Sequence, residues 1–81
     1  MMNTTEIRVT LSDVLRRVFD NPSLNFEDTT TANDVAGWDS VTHVSVIVAV
    51  EKAFRVRFST KEVKSLTNVG DFIRLIERRT Q

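Results

Sequence analysis

Few residues in this chain could do chemistry, and their types restrict what that chemistry is. There is no cysteine and one histidine, His43. Thiolate nucleophiles, disulfide staples and thiolate metal sites are therefore excluded, and a multi-histidine zinc site cannot be assembled. Two glycines, Gly37 and Gly70, are too few for a glycine-rich phosphate loop. The carboxylates of Glu27 and Asp28 sit in the polar run Glu27-Asp28-Thr29-Thr30-Thr31, which reads as a solvated loop rather than an acid–base pair. What remains is Ser40, directly after Asp39 and three residues before His43. A serine is a hydrolase nucleophile only with a base held against its hydroxyl. The G-x-S-x-G elbow is missing, and 81 residues are expected to form one domain, with no second one to build a substrate pocket. The expectation is a protein without independent catalysis and without a metal site, in which His43 is a residue at the edge of the core.

The informative segment is Gly37-Trp38-Asp39-Ser40-Val41. Asp39 can cap a helix by accepting from free amides of its first turn. Ser40 then stands at a helix start, where its hydroxyl is exposed and the peptide amides favour a phosphate nearby.

Four helices must position that segment. Ile7, Leu11, Val14 and Val18 recur at helical spacing with Leu15 beside them, which predicts a helix from about Thr5 to Phe19. Asp20-Asn21-Pro22 ends it, because the residue before proline is pushed out of helical geometry. Residues 20–39 have no sustained period; this long loop should be anchored to the core by Leu24, Phe26 and Val35. A second helix is predicted from Ser40 to Phe54. Its inner stripe is His43, Ile47, Val50 and Phe54, with Val46 beside it. Val41, Val44 and Val48 form a second apolar stripe, roughly 130° away at helical period. One helix of a small domain rarely buries both, so the valine stripe reads as a docking surface. Arg55-Val56-Arg57-Phe58 alternates as a short extended link. Ser59-Thr60-Lys61-Glu62 matches a capping box and opens a short third helix ending near Ser65. Asn68 can cap a fourth helix from Val69 to about Arg79, with Val69, Phe72, Ile73 and Ile76 inward.

The fold class is therefore all-α: a four-helix bundle with three longer helices, a short third one and a long loop between the first two. The chain of 81 residues is enough for one domain, 1–81. Two glycines, one proline and no tyrosine argue against a turn-rich β fold. Eleven basic residues balance eleven acidic ones, which gives no case for nucleic acid. No apolar run approaches the roughly 20 residues of a membrane span, and the start MMNTTEIRVT lacks the apolar middle of a signal peptide. The expectation is a monomeric cytoplasmic domain. The balance hides an asymmetry: residues 1–40 hold seven acids against three bases, and residues 41–81 four acids against eight bases. Either the halves attract each other within the domain, or each presents a surface to a partner.

The stretch around Asp39-Ser40 resembles the acyl carrier protein family, which carries Asp-Ser-Leu at the start of its second helix. Val50-Glu51-Lys52-Ala53-Phe54 is similar to the family's pattern at the end of that helix, and Thr67-Asn68-Val69-Gly70-Asp71 to its fourth-helix start. The resemblance spans nearly the whole chain and is strongest from Val35 to Ile76. It implies that Ser40 receives 4′-phosphopantetheine from coenzyme A through a separate phosphopantetheinyl transferase. Asp39 would then serve transferase recognition and magnesium placement. The arm's thiol would hold acyl groups as thioesters for acyl- or aminoacyl-transferring enzymes of fatty-acid, polyketide or related biosynthesis.

Three departures from the family pattern stand out. Val41 replaces the usual Leu. Ser45 and Lys52 stand where carboxylates are frequent, which weakens steering toward basic partners. Gly37-Trp38-Asp39-Ser40 is more similar to stand-alone carriers of specialised pathways. An aminoacyl or peptidyl carrier is the alternative within the class; an unmodified helical adaptor docking through Val41, Val44 and Val48 is the alternative outside it.

Overall fold

The computed structural model describes residues 2–80. Four α-helices follow one another: α1 (Thr4–Val18), α2 (Ser40–Phe54), α3 (Thr60–Lys64) and α4 (Val69–Thr80), with a 3-10 turn at Ala32–Asp34 between the first two. No strand occurs among the described residues. The all-α expectation holds, and α2 has the bounds its capping aspartate and apolar period predict. Each helix start has a local cause. Asn3 and Glu6 form a capping box for α1, and Ser59 and Glu62 one for α3. The Asn68 side chain accepts from the Asp71 amide at 2.9 Å, and Asp71 in turn accepts from the Thr67 amide at 3.0 Å. The ends are equally specific. After α1, Asp20 takes a left-handed φ of 50° and the Asn21 amide returns to the Arg16 carbonyl at 2.9 Å. After α2, Arg55 occupies the left-handed region at φ 56° and ψ 48°, a position glycine fills with less strain.

α1 packs against both α2 and α4. Ile7, Leu11, Val14 and Leu15 of α1 meet Val46, Ile47, Val50 and Phe54 of α2 and Val69, Phe72, Ile73 and Ile76 of α4 in one apolar cluster. The inner stripes expected from the sequence are largely the core, but His43, placed on the inner stripe of α2, is half-buried and outside the cluster, and two refinements follow. Leu15 is buried while Val18 is only half-buried, and Leu75 is buried on α4 although it lies off the predicted inner face. The short α3 and its flanks contribute Val63 and Leu66 to the core margin, and Phe58 meets Phe72 edge-on at 6.2 Å. Full burial of a Val, Leu, Ile or Phe side chain contributes about 1.5–3 kcal/mol, so this cluster is the main stabilising term.

The long loop is tied down largely through its backbone. Val35 is buried and Phe26 packs on the core margin, as expected. Leu24 is half-buried outside that cluster and is held through its carbonyl, which accepts from Arg16 Nε at 2.8 Å. The main anchor is one the pattern did not indicate. The first amides of α4 have no partner within their own helix; the Val69 amide donates to the Thr30 carbonyl and the Gly70 amide to the Asp28 carbonyl, each at 2.9 Å. A Cβ on Gly70 would stand 3.1 Å from that Asp28 oxygen, so glycine permits the close approach. The Asp28 side chain pairs with Arg8 of α1 and fixes the same loop from the other side.

Of the two accounts of the charge asymmetry, mutual attraction of the halves finds no support in the ion pairs. Those among the described residues are Arg8–Asp28, Arg16–Asp13, Arg74–Asp71 and Arg79–Glu62, and none joins residues 1–40 to residues 41–80. Two of them follow from i,i+3 spacing within α1 and α4, Arg79–Glu62 joins α4 to α3, and Arg8–Asp28 joins α1 to the long loop.

Candidate functional site

Ser40 is the first residue of α2 and is exposed. Its hydroxyl makes no hydrogen bond among the described residues, so no base is held against it. Asp39 is the N-cap: its Oδ1 accepts from the Thr42 amide at 2.9 Å. That amide bond, more than any charge, holds the Asp39 carboxyl below the usual carboxylate range, so an exposed anion stands beside the serine at neutral pH.

The approach to the serine is shaped by the preceding turn. Gly37 has a φ of +87°, and nothing lies within 4 Å of where its Cβ would stand. The Trp38 amide donates to the Val35 carbonyl at 3.2 Å, which joins the turn to a buried anchor. The indole packs against Phe19 with centroids 5.3 Å apart, and its Nε1 donates to His43 Nδ1 at 3.1 Å. An indole N–H can only donate, so Nδ1 is the acceptor and the neutral ring carries its proton on Nε2. His43 is accordingly a half-buried partner of Trp38, as its core-edge reading anticipated, and forms no hydrogen bond with Ser40. The Trp38–His43 bond itself was not read from the sequence; the five-residue spacing across a turn and a helix start carries no periodic signal.

The predicted docking residues lie where the helical period puts them. Val41 is 77% exposed, Val44 62% and Val48 45%, and no neighbouring helix covers them. Among the described residues no group of three or more His, Asp or Glu side chains could hold a metal ion. No helix is long and apolar enough to cross a membrane among them either.

An open serine at a capped helix start in a small four-helix bundle is the arrangement that the acyl carrier resemblance leads one to expect. Comparison with known proteins agrees. No protein-family model matches the chain. An acyl carrier protein of Acidothermus cellulolyticus is 32% identical over 79 residues, covering 98% of this chain and 94% of its own length. The solution structure of a holo acyl carrier protein from Geobacter metallireducens superposes with a TM-score of 0.84 at 35% identity, covering 89% of this chain and 83% of that one. The chain belongs to the acyl carrier protein family. It carries acyl groups on 4′-phosphopantetheine and has no catalysis of its own. Family membership implies acyl-transferring enzymes and a phosphopantetheinyl transferase as its partners.

Proposed function

We propose that Ser40 is the attachment point, that Asp39 guides the transferase to it, and that the valine stripe of α2 docks the partner enzymes. The observation that carries this reading is the exposed, unbonded Ser40 hydroxyl at the capped start of α2. The site fits the prosthetic group: its approach is open over Gly37, and the α2 N-terminus favours the phosphate that would sit there. Bound there, the group supplies the thiol that this cysteine-free chain lacks.

The chain's own residues have limited tasks. Ser40 Oγ would form the new bond to the phosphorus of the phosphopantetheine group as the pyrophosphate P–O bond of coenzyme A breaks and adenosine 3′,5′-bisphosphate leaves; the Ser40 proton would pass to a base on the transferase, since the accepting nitrogen of His43 already holds the Trp38 indole. Asp39 keeps the helix start in place and presents negative charge beside the hydroxyl. Trp38, seated on Phe19, fixes the turn so that Ser40 is delivered at a constant position. Val41, Val44 and Val48 offer partners an apolar strip continuous with the site.

Residues 1–81 work as a single monomeric domain in the cytoplasm, serving fatty-acid, polyketide or related biosynthesis. Both relatives are named acyl carriers, which favours an acyl over an aminoacyl cargo. Intact-mass measurement tests the attachment. Incubation with coenzyme A and a broad-specificity transferase should add one phosphopantetheine, and Ser40→Ala should abolish the addition. Modification persisting in Ser40→Ala would show that another residue is the site.

A further inference from the structure

The exposed stripe of α2 does not end at Val48. At 100° per residue, Lys52 falls within about 50° of the middle of the valine stripe, so Val41, Val44, Val48 and Lys52 share one face of α2, and Arg55 follows directly at the helix end. The lower part of that face borders a shallow open groove of about 430 Å³ lined by Val48, Glu51, Lys52, Arg55, Val56 and Arg57. Lys52, Arg55 and Arg57 are exposed, and none of them forms an ion pair or side-chain hydrogen bond among the described residues. Glu51 lines the same groove, where its Oε2 accepts from the Phe58 amide at 2.9 Å; it forms no ion pair with the three cations, and its single negative charge against their three leaves the groove net positive. Arg55 adds a separate observation. It holds a left-handed backbone conformation that glycine would adopt without strain, so a cation stands at a position the backbone alone would give to another residue.

We propose that this face docks a partner protein whose surface is apolar opposite Val44 and Val48 and acidic opposite Lys52, Arg55 and Arg57. The proposal rests on the carrier reading above and specifies the chemistry of its docking partner. Charge complementarity selects the occupant. Three unpaired cations at one end of an apolar strip are neutralised by carboxylates at matching spacing, which orients the partner along α2 as well as attracting it. The anion of Asp39 caps the opposite end of α2, so the helix runs from a negative start at Ser40 to a positive end at Arg55. A nucleic acid would leave the valines without an apolar partner. An anionic lipid surface would be repelled at the Asp39 end, and three valines lack the Trp, Phe or Leu that buries an interfacial helix.

The test is an NMR titration of the isotopically labelled protein, both as purified and after incubation with coenzyme A and a transferase, with two synthetic amphipathic helical peptides. They share a leucine stripe and differ only in three residues at one end, all Glu in one and all Lys in the other. The acidic peptide should shift the amides of Val44, Val48, Lys52, Arg55 and Arg57. It should bind at least tenfold more tightly than the lysine peptide, and lose at least tenfold in affinity between 50 and 500 mM salt, as screening predicts. Lys52→Glu with Arg55→Glu should reverse the preference between the peptides while circular dichroism stays unchanged. Equal or tighter binding of the lysine peptide overturns the proposal, as does no binding of either peptide. Shifts confined to another face, or preferential binding to phosphatidylserine vesicles or to RNA, overturn it too. Loading of the wild-type protein at Ser40 is measured in parallel. A protein that fails to load yet prefers the acidic peptide sinks the carrier reading and leaves the surface. One that loads and prefers the lysine peptide does the reverse.

Discussion

Val44→Asp should separate docking from folding. Val44 is 62% exposed on α2, so the substitution removes little packing within the domain. Valine and aspartate have similar helix propensities, and an exposed change of this kind usually shifts stability by no more than about 0.5 kcal/mol. For a domain of this size that is a melting shift of about 2–4 °C. The effect on a partner is larger. Fully burying a valine contributes about 1.5–3 kcal/mol; with roughly three-fifths of its surface still open, docking can draw on about 1–2 kcal/mol of that. The corresponding loss is about 5- to 30-fold in kcat/KM for transfer to or from the carrier, and desolvating the new carboxylate adds to it. Steady-state kinetics of phosphopantetheinylation beside thermal melts by circular dichroism reads both quantities. Val9→Asp is the matched control, since Val9 is 59% exposed but lies on α1; it should melt similarly and turn over like wild type. If Val44→Asp unfolds the protein, the stripe is part of the core. If both variants turn over normally, the docking surface is elsewhere, and the loop preceding α2 becomes the candidate.

Two further outcomes concern the loop that carries the site. Gly70→Ala should lower stability by about 0.5–1.5 kcal/mol in denaturant melts, against the usual helix-propensity gain, because its Cβ would press on the Asp28 carbonyl at 3.1 Å and that carbonyl is pinned by the Gly70 amide and by the Arg8 pair; a stabilised variant would mean the loop yields freely. Asp28, held low by its bond to Arg8, and Asp71, held low by Arg74 and the Thr67 amide, both have folded-state values below their ordinary ones. Their contribution is present above about pH 4, the ordinary carboxylate range, and is lost as pH falls through the depressed values. Melting temperature against pH should therefore drop on the acid side, and Asp28→Asn with Asp71→Asn should flatten that drop while lowering stability at neutral pH.

Much of the candidate site was legible because its causes are local. Asp39 caps Ser40's helix by reaching three residues along the chain, a geometry that residue type and spacing specify without reference to the rest of the fold. The exposure of Val41, Val44 and Val48 follows from the helical period once the stripe carrying Phe54 is given to the core. The 3-10 turn at Ala32–Asp34 was missed, although it has a local mark: Asp34 accepts from both the Thr31 amide and hydroxyl. Three residues are too short for a periodic signal.

What determines the four helices, their order, the open serine and the outward valines is thus written in the sequence, since caps and hydrophobic period act over a few residues. The tertiary structure alone decided how the loop is held and which charges are paired. The α4 amides reach back to Asp28 and Thr30 across about 40 residues of chain, through backbone carbonyls that every residue has and no side-chain pattern advertises. Trp38 finds His43 only when the turn at Gly37 folds the indole over the start of α2. The charges divide between the two halves of the chain, yet they pair within each half, leaving Lys52, Arg55 and Arg57 open beside the valines. Charge counts are blind to that result, because ion pairing depends on distances of a few ångström that only packing sets.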